Sequence, residues 1–311
     1  MKTTLTFDIP YIRLRFRAEV VEDTYMPMDK ESALRGGLGE MLLRQNCVSD
    51  RDCETCRFNQ VCVVQHTFYS PMEKKPDYVT GKESVGYLIE CLDKRTEFEE
   101  GSNFEFTLLL FGNSIAFFNI YLQAFSQLGM VGLGKNKSRF QIAEVLNTRG
   151  KKIIRGNEVD MRRYQVETVK DYVLYRKEEL KKKSGPWEAW FLTPLSMKYQ
   201  QNFMEKFYAE ALVQGAVRRM HMLNYYMGVD AEMPVCTEYP VIEKQTVKKE
   251  YRKRYSGTQD SHMTLWGITG RMIFKRMPEE CLDYLIAGEL THMGKNTSFG
   301  FGKYVLCRGE G

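Results

Sequence analysis

Hydrophobic and polar residues follow two periods along this chain, and each period predicts a kind of element. Residues 12–17 alternate apolar side chains with arginines, a period of two that predicts a strand with one apolar and one basic face. Apolar residues at 115, 118, 122 and 125 are spaced by three or four, which predicts an amphipathic helix. Gly129 is a suitable end for that helix.

The same reading along the first half predicts the order β-α-β-β-α-β. The predicted strands cover about 4–19, 85–92, 103–111 and 139–145, and the helices cover about 31–45 and 115–129. In the second half, 189–192 reads as a strand and Phe203, Phe207 and Ala211 step by four as in a helix. Extended runs at about 235–255 and 262–275 follow. A helix from Pro278 to Gly288 and a strand over 301–306 complete the order.

Each half therefore predicts a ferredoxin-like unit, and the fold class is α+β. We expect an N-terminal ferredoxin-like domain over 1–150 and a C-terminal one over 188–311. The charged run from Arg176 to Lys183 predicts a solvated helix end, so we interpret 151–187 as a linker.

The tripeptide Gly-Lys-Asn occurs at 134–136 and again at 294–296, each time between a predicted helix and the last predicted strand of its half. The first copy can also be a glycine-rich turn with no further role. The second is denser, because Gly294, Gly300 and Gly302 stand with Lys295, Asn296, Thr297 and Ser298. Glycines let a backbone approach a ligand, and a lysine supplies a charge for phosphate. The spacing is neither that of a Walker loop nor that of a dinucleotide fingerprint.

Residues 248–255 read KKEYRKRY, with tyrosines among the cations. One interpretation is a solvated edge or loop. The other is a surface that binds phosphates and offers rings for base stacking. The net charge of +5 is too small to decide between the two.

Four of the eight cysteines, Cys47, Cys53, Cys56 and Cys62, lie within sixteen residues. The Cys53-x-x-Cys56 spacing lets two thiolates reach one ion, and the flanking cysteines can complete a tetrahedral site. We therefore predict a structural zinc ion in an insert over 47–62. Two disulfides and an iron–sulfur cluster are the alternatives. No long apolar span and no apolar signal-peptide core occur, so we expect a cytoplasmic protein.

Four motifs in order carry a family resemblance. They are LRGGLG at 34–39, LTPL at 192–195 before a helix ending in Arg218-Arg219, RYSGTQ at 254–259, and HMGKNTSFGFGKY at 292–304. Together they resemble the CRISPR-associated endoribonucleases that process precursor CRISPR RNA, members of the RAMP superfamily.

The resemblance implies two tandem ferredoxin-like domains and metal-independent cleavage of a CRISPR repeat by its own 2′-hydroxyl. The products carry 2′,3′-cyclic phosphate and 5′-hydroxyl ends. It implies CRISPR repeat RNA as the partner, and other CRISPR effector or adaptation proteins as further candidates. The residues expected to bind RNA are Arg218, Arg219, Lys249, Arg252, Arg254, Ser256, Gln259, Gly294, Asn296, Thr297, Ser298, Gly300 and Gly302.

A group that titrates near neutral pH is needed for proton transfer, and histidine is the natural candidate. Relatives place a catalytic histidine in or after the first helix, and 31–46 contains none. His292 precedes Lys295 by three residues, so we predict catalytic roles for both, with His66 as a further candidate. Each histidine can instead be structural: His292 can hold the loop, and His66 can belong to the metal-binding segment. His262, His221 and a tyrosine base remain alternatives.

Two other functions fit the same pattern. One is a non-catalytic RAMP subunit that binds guide RNA in a CRISPR effector complex. The other is a general ferredoxin-like RNA-binding module, although the aromatic signature of an RRM is absent from the sequence.

Overall fold

The computed structural model describes residues 3–53, 55–79, 84–156, 158–256 and 261–309. The fold is mixed α/β, with antiparallel sheets and helices that pack on them. The strands are β1 Thr3–Thr4, β2 Pro10–Val20, β3 Thr24–Tyr25, β4 Tyr87–Glu90, β5 Glu97–Phe98, β6 Asn103–Phe111, β7 Phe140–Leu146, β8 Lys152–Arg155, β9 Glu158–Val159, β10 Glu167–Thr168, β11 Trp187–Leu195, β12 Lys198–Tyr199, β13 Asn202–Phe203, β14 Ala231–Glu232, β15 Val241–Ser256, β16 Ser261–Arg276 and β17 Tyr304–Arg308. The helices are α1 Lys30–Asn46, α2 Val63–Phe68, α3 Phe118–Val131, α4 Val169–Lys181, α5 Ala209–Tyr226 and α6 Glu279–Thr291, with 3₁₀ segments at Gly112–Phe117, Met161–Arg163 and Thr297–Phe299.

The chain divides into two compact units. Pro10–Val166 forms one, here the N-terminal unit. The residues up to Ile9 join Glu167 onward in the other, here the C-terminal unit. Among the described residues, no helix combines the length and the apolar character that a membrane span requires.

In the N-terminal unit the sheet order is β4-β6-β2-β7-β8-β9, and neighbouring strands run antiparallel. The apolar face of β2 is fully buried, and its Phe16 ring stacks on Phe106 at 4.8 Å between centroids. On the opposite face, Arg13 pairs with Glu90, and Arg17 pairs with Glu105 and Glu144. This arginine face is therefore largely compensated by carboxylates, which makes it a weaker candidate for phosphate binding.

In the C-terminal unit the sheet order is β15-β16-β11-β17, again antiparallel throughout. In each unit the four main strands thus lie in the order second, third, first, fourth along the sheet. Helix α6 packs against α4 and α5. Phe191 and Phe207 stack at 5.1 Å and lie almost fully buried in the core of this unit.

The segment 151–187 differs from its interpretation as a linker. Strand β8 extends the N-terminal sheet beside β7, whereas α4 belongs to the C-terminal unit. Arg176 on α4 pairs with Glu289, and its guanidinium donates to the carbonyl of Leu306. The charged run is half-buried at that point because its cations have partners on α6 and β17.

Three helix boundaries also differ from the sequence prediction. The helix predicted from Phe203 begins only at Ala209, and Phe203 itself lies in the short strand β13. Gly129 and Gly288 lie inside their helices, which end at Val131 and Thr291.

Candidate functional site

The second glycine cluster forms a loop, here called the glycine loop (residues 293–303), between α6 and β17. Gly294, Asn296, Gly300 and Gly302 all have positive φ, which explains the concentration of glycines and asparagine. The loop is bound to the end of β11: the N–H of Lys295 donates to Ser196 O at 2.7 Å, and that of Gly302 donates to Pro194 O at 2.9 Å.

Close packing of the loop backbone adds a second reason for glycine. A Cβ at Gly302 would lie 1.9 Å from the carbonyl oxygen of Met293, and one at Gly294 would lie 2.8 Å from that of Ser196. The N–H groups of Phe299, Gly300 and Phe301 donate to carbonyls within the loop. The glycines therefore serve the loop's own fold, and many of its amides are already used. The exposed side chain of the loop is that of Lys295, whereas Asn296 and Phe299 are half-buried.

His292 lies at the C-terminal end of α6 with φ 56° and no exposed surface. Its Nδ1 is 3.2 Å from the carbonyl oxygen of Phe301, across the base of the glycine loop. These contacts match the structural alternative, in which the histidine holds the loop. As it lies, the ring is screened from any ligand, so its predicted catalytic role is untested and would need the loop to open.

The predicted basic residues of α5 differ from each other. Arg219 is half-buried, and its Nε donates to the carbonyl of Thr291 at 3.0 Å, which stabilises the end of α6. Arg218 is exposed. His221 is buried, with its Nε2 2.9 Å from the carbonyl of Ala231. Of these three, Arg218 alone is classed as exposed.

The basic run lies on the long hairpin β15–β16. Lys249 is partly exposed and pairs with Glu205 at 2.6 Å, and this contact raises the pKa of the lysine. Arg252 is buried, with its guanidinium 5.3 Å from the centre of the Phe301 ring in the glycine loop. The side chains of Arg254, Ser256 and His262 and the whole of Gln259 lie outside the described residues.

The remaining loop residues predicted to bind RNA, Thr297 and Ser298, are buried, whereas Asn296 is half-buried. His66 belongs to the N-terminal unit, on α2. Its Nε2 is 2.8 Å from the carbonyl of Gln60, and its ring lies 5.4 Å from that of Phe117. His66 and His292 thus each contact a main-chain carbonyl, and the predicted catalytic role of His66 is likewise untested.

The four cysteines of 47–62 are free thiols that line one cavity between the end of α1 and the start of α2. The N–H of Arg51 donates to Cys47 Sγ at 3.3 Å. Burial raises the pKa of the Cys53 thiol, and negative charge on Cys62, Cys47 and Cys56 raises it further. In the part of the chain that the structure describes, no group of three His, Cys, Asp or Glu side chains is arranged to hold a metal ion. The thiols are neighbours without converging on a point.

Three residues near the glycine loop were not predicted from sequence as site residues: Lys198, Phe203 and Trp266. Lys198 and Lys295 both lie over the ring of Phe203, at 5.3 and 5.6 Å from its centre. The ring of Trp266 is 5.5 Å from that of Phe203. The sequence gives no sign of this grouping, because the β12–β13 hairpin, Trp266 and Lys295 are far apart along the chain.

Two family models match the chain. Residues 9–168, just over half of the 311, match the family described as AF_1859_N, an N-terminal domain. Residues 190–304 match the family of the CRISPR-associated endoribonuclease Cas6, and this stretch contains the whole glycine loop and the hairpin β15–β16. The chain belongs to the AF_1859_N family.

Solved structures show the same fold. A chain of a partial Cas6-RT-Cas1–Cas2 complex matches with a TM-score of 0.58 and 13% identity, over 98% of this chain and 47% of that chain. The Cas6 of Thermus thermophilus in a product complex matches with a TM-score of 0.50 and 13% identity, over 96% and 99%. The chain therefore spans less than half the length of the first of these. A search of curated proteins found no match.

Proposed function

We propose that this chain is an endoribonuclease that binds CRISPR repeat RNA and cleaves precursor crRNA. The observation that carries the proposal is the match of residues 190–304 to the Cas6 endoribonuclease family, because that stretch contains the glycine loop and its lysine. The strand order shared by the two units supports the finer description of each as a ferredoxin-like βαββαβ domain.

The proposed reaction uses the RNA as its own nucleophile. The 2′-hydroxyl beside the scissile phosphate attacks phosphorus, and the bond to the 5′-oxygen breaks, leaving 2′,3′-cyclic phosphate and 5′-hydroxyl ends. Negative charge grows on the phosphate in the transition state, and the exposed ammonium group of Lys295 is available to stabilise it. His292 supports this reaction by holding the loop through Phe301. His66 remains the candidate for proton transfer in the N-terminal unit.

The direct test uses the repeat RNA of the associated CRISPR array. The cut is first mapped on the all-RNA repeat, and the one 2′-hydroxyl that precedes it is then replaced by hydrogen. We expect binding to change little and cleavage to stop, since one hydroxyl is a small part of a charged interface. We also expect cleavage of the unmodified repeat to persist in excess EDTA. If the deoxy repeat is still cut at the same bond, the nucleophile is water and the proposed mechanism is wrong. If no repeat is cut at all, the non-catalytic RNA-binding subunit is the better description.

We also propose that the cysteine-rich segment binds one structural zinc ion. Four free thiols line the same cavity, and the described residues of 47–62 lie in turns and loops between α1 and α2, where a backbone shift would bring the sulfurs together. With four protein ligands the ion would have no open position, so its role would be to hold the segment. Catalysis itself is proposed to need no metal ion.

Elemental analysis of the purified chain tests the zinc proposal. We expect about one zinc per chain, lost in Cys53→Ser and retained in Cys236→Ser, since Cys236 is a half-buried thiol of the other unit. A visible absorption band with bound iron would favour an iron–sulfur cluster. No metal, or a disulfide among these cysteines, would show that the zinc proposal is wrong.

Other CRISPR proteins are proposed as partners. The solved chain with the higher TM-score belongs to a Cas6-RT-Cas1–Cas2 complex, which supports adaptation proteins as the class to test first.

A further inference from the structure

Three aromatic side chains of the C-terminal unit form a partly exposed strip, here called the ring strip (Phe203, Tyr251 and Trp266). Tyr251 and Trp266 are cross-strand partners in β15 and β16, with ring centroids 6.5 Å apart and planes 31° apart. Phe203 approaches Trp266 from the β12–β13 hairpin at 5.5 Å. The strip thus joins the long hairpin to the turn that follows β11.

The ring strip is not part of the buried core. Phe203 is 37% exposed and Tyr251 is 65% exposed, whereas the stacked pair Phe191 and Phe207 in the same unit is buried. Burying an aromatic ring stabilises a protein, so rings left at the surface forgo part of that contribution. A set of flat rings held apart from the core is therefore suited to receive another flat group.

Three lysines surround the strip, each from a different element. Lys198 in β12 and Lys295 in the glycine loop lie over Phe203, and Lys249 in β15 lies 5.7 Å from the centre of the Trp266 ring. All three are partly or fully exposed. Glu205 pairs with Lys249, but it is 67% exposed, and an exposed ion pair of this kind is screened by water and contributes little to stability. A phosphate can therefore replace that carboxylate at little cost.

We propose that the ring strip is a binding site for an unpaired nucleotide of RNA, with the base stacked on the rings and the flanking phosphates beside Lys198, Lys249 and Lys295. The ligand class follows from the combination of surfaces. Rings recognise the face of any base, and ammonium groups recognise the backbone, which is the pairing of features that single-stranded nucleic acid requires. An apolar peptide would use the rings but would make no use of the three ammonium groups.

The site deepens the proposed function, on which it rests, because it places an unpaired nucleotide next to Lys295. The N–H of Lys295 is bound to Ser196 O, so the side chain starts from a fixed point at the end of β11. A base held on the strip would fix the position of the adjacent phosphate relative to the glycine loop. The strip is thus proposed to position RNA rather than to take part in proton transfer.

Equilibrium binding of a labelled RNA tests the proposal. The probe is a fluorescein-labelled RNA of about 12 nucleotides without self-complementarity, a length within the range that one such surface covers. Phe203→Leu and Trp266→Leu remove a ring but keep an apolar side chain. We expect each to weaken binding roughly 5- to 100-fold at low salt, since stacking on one base accounts for about that factor. Trp266→Phe keeps a ring and should bind within about threefold of the wild type.

Trp190→Leu is the matched control. Trp190 is a 42% exposed tryptophan of the same sheet, and it has its own cation, Arg271, 4.8 Å from the ring centre. We expect this variant to bind the probe as the wild type does. Equal losses in Trp190→Leu and Trp266→Leu, or no loss in Phe203→Leu and Trp266→Leu, would overturn the proposal. Thermal unfolding of each variant shows whether weaker binding comes from the missing ring or from a destabilised fold. Trp266→Phe keeps the test valid if Trp266→Leu unfolds.

A fluorescent base reports the contact itself. With 2-aminopurine at successive positions of the probe, at least one position should be quenched by the wild type and recover in Trp266→Leu. Cleavage of the repeat RNA is measured in parallel. A chain that binds the probe through the rings but leaves the repeat intact contradicts the ribonuclease and not the strip. A chain that cuts the repeat while both Leu variants bind normally contradicts the strip and not the ribonuclease.

Discussion

Gly134–Asn136 and Gly294–Asn296 have the same three residues at corresponding places, between the last long helix and the last main strand of their units. In the first copy, Leu133 pairs with Ser138, so the turn closes on itself, and residues 134–137 are all exposed. In the second copy, Lys295 pairs with Ser196 near the end of β11, and the loop around it is mostly buried.

The difference between the two loops lies in what surrounds them. The Nδ2 of Asn136 donates to the carbonyl of Tyr25, and no aromatic ring lies under Lys135 among the contacts of the described residues. Lys295 lies over Phe203 of the ring strip, and Lys198 and Lys249 also lie beside the strip. The same tripeptide therefore makes a turn in one unit and a candidate RNA contact in the other. A motif identifies a backbone shape, whereas its neighbours decide whether that shape binds anything.

Replacing one glycine in each loop should give the largest difference. Gly302 has φ +74° and would place a Cβ 1.9 Å from a backbone oxygen, whereas Gly134 has φ +70° and meets only Pro27 at 3.4 Å. We expect Gly134→Ala to cost about 1–2 kcal/mol of left-handed strain. Gly302→Ala adds a backbone clash and should cost at least about 3 kcal/mol. Urea unfolding measures both free energies, and equal costs would show that the second loop is no more tightly packed than the first.

The order of the long elements could be predicted from sequence, because alternation in β2 and the three–four spacing in α3 are local signals. The start of α5 could not. The four-residue step from Phe203 to Ala211 continues a helical pattern across the real boundary at Ala209, and only the pairing of Lys198 with Phe203 shows that a hairpin replaces the first turn. This boundary decides the site, since it turns Phe203 from a core position into part of the ring strip.

The candidate site shows the same limit. The glycine loop could be found from its composition, and Lys295 from its charge. The burial of His292 could not be predicted, because it depends on the carbonyl of Phe301 and on the way the loop closes over the end of α6. Sequence places a histidine near a loop but does not tell which way the ring faces.

The two loop lysines provide the second prediction. Of the two loops, only the glycine loop is proposed to contact RNA. Lys295→Ala should therefore weaken binding of repeat RNA about tenfold at low salt and make the slope of log K against log salt shallower by roughly 0.7–0.9. Lys135→Ala should change neither quantity. Fluorescence anisotropy at several salt concentrations measures both. Parallel losses in the two variants would mean that the RNA contacts both loops, and the contrast between them would then be wrong.

The smallest expected effect concerns the helix before the glycine loop. Five residues before Gly294, α6 carries Glu289, where the corresponding position of α3 is Gly129. Burial raises the pKa of Glu289, and Arg176 and Lys303 only partly oppose this. A raised folded pKa means that the native state holds a proton that the unfolded chain releases. The contribution of Glu289 to stability is therefore complete below the ordinary glutamate pKa of about 4.3 and is lost as pH rises through the folded pKa.

Glu289→Gln should remove this decline, giving a gain relative to wild type at neutral pH on the order of 1 kcal/mol. Glu179→Gln is the control, because Glu179 also pairs with Arg176 but is partly exposed, and the hydrogen bond from Tyr175 lowers its pKa. Its contribution has the opposite sign, present above the ordinary pKa and lost on acidification, so this variant should keep the decline. Urea unfolding from acid to neutral pH measures the free energy of unfolding of the wild type and both variants. If the wild type gains stability relative to Glu289→Gln as pH rises, the pairing of Glu289 with Arg176 outweighs its burial.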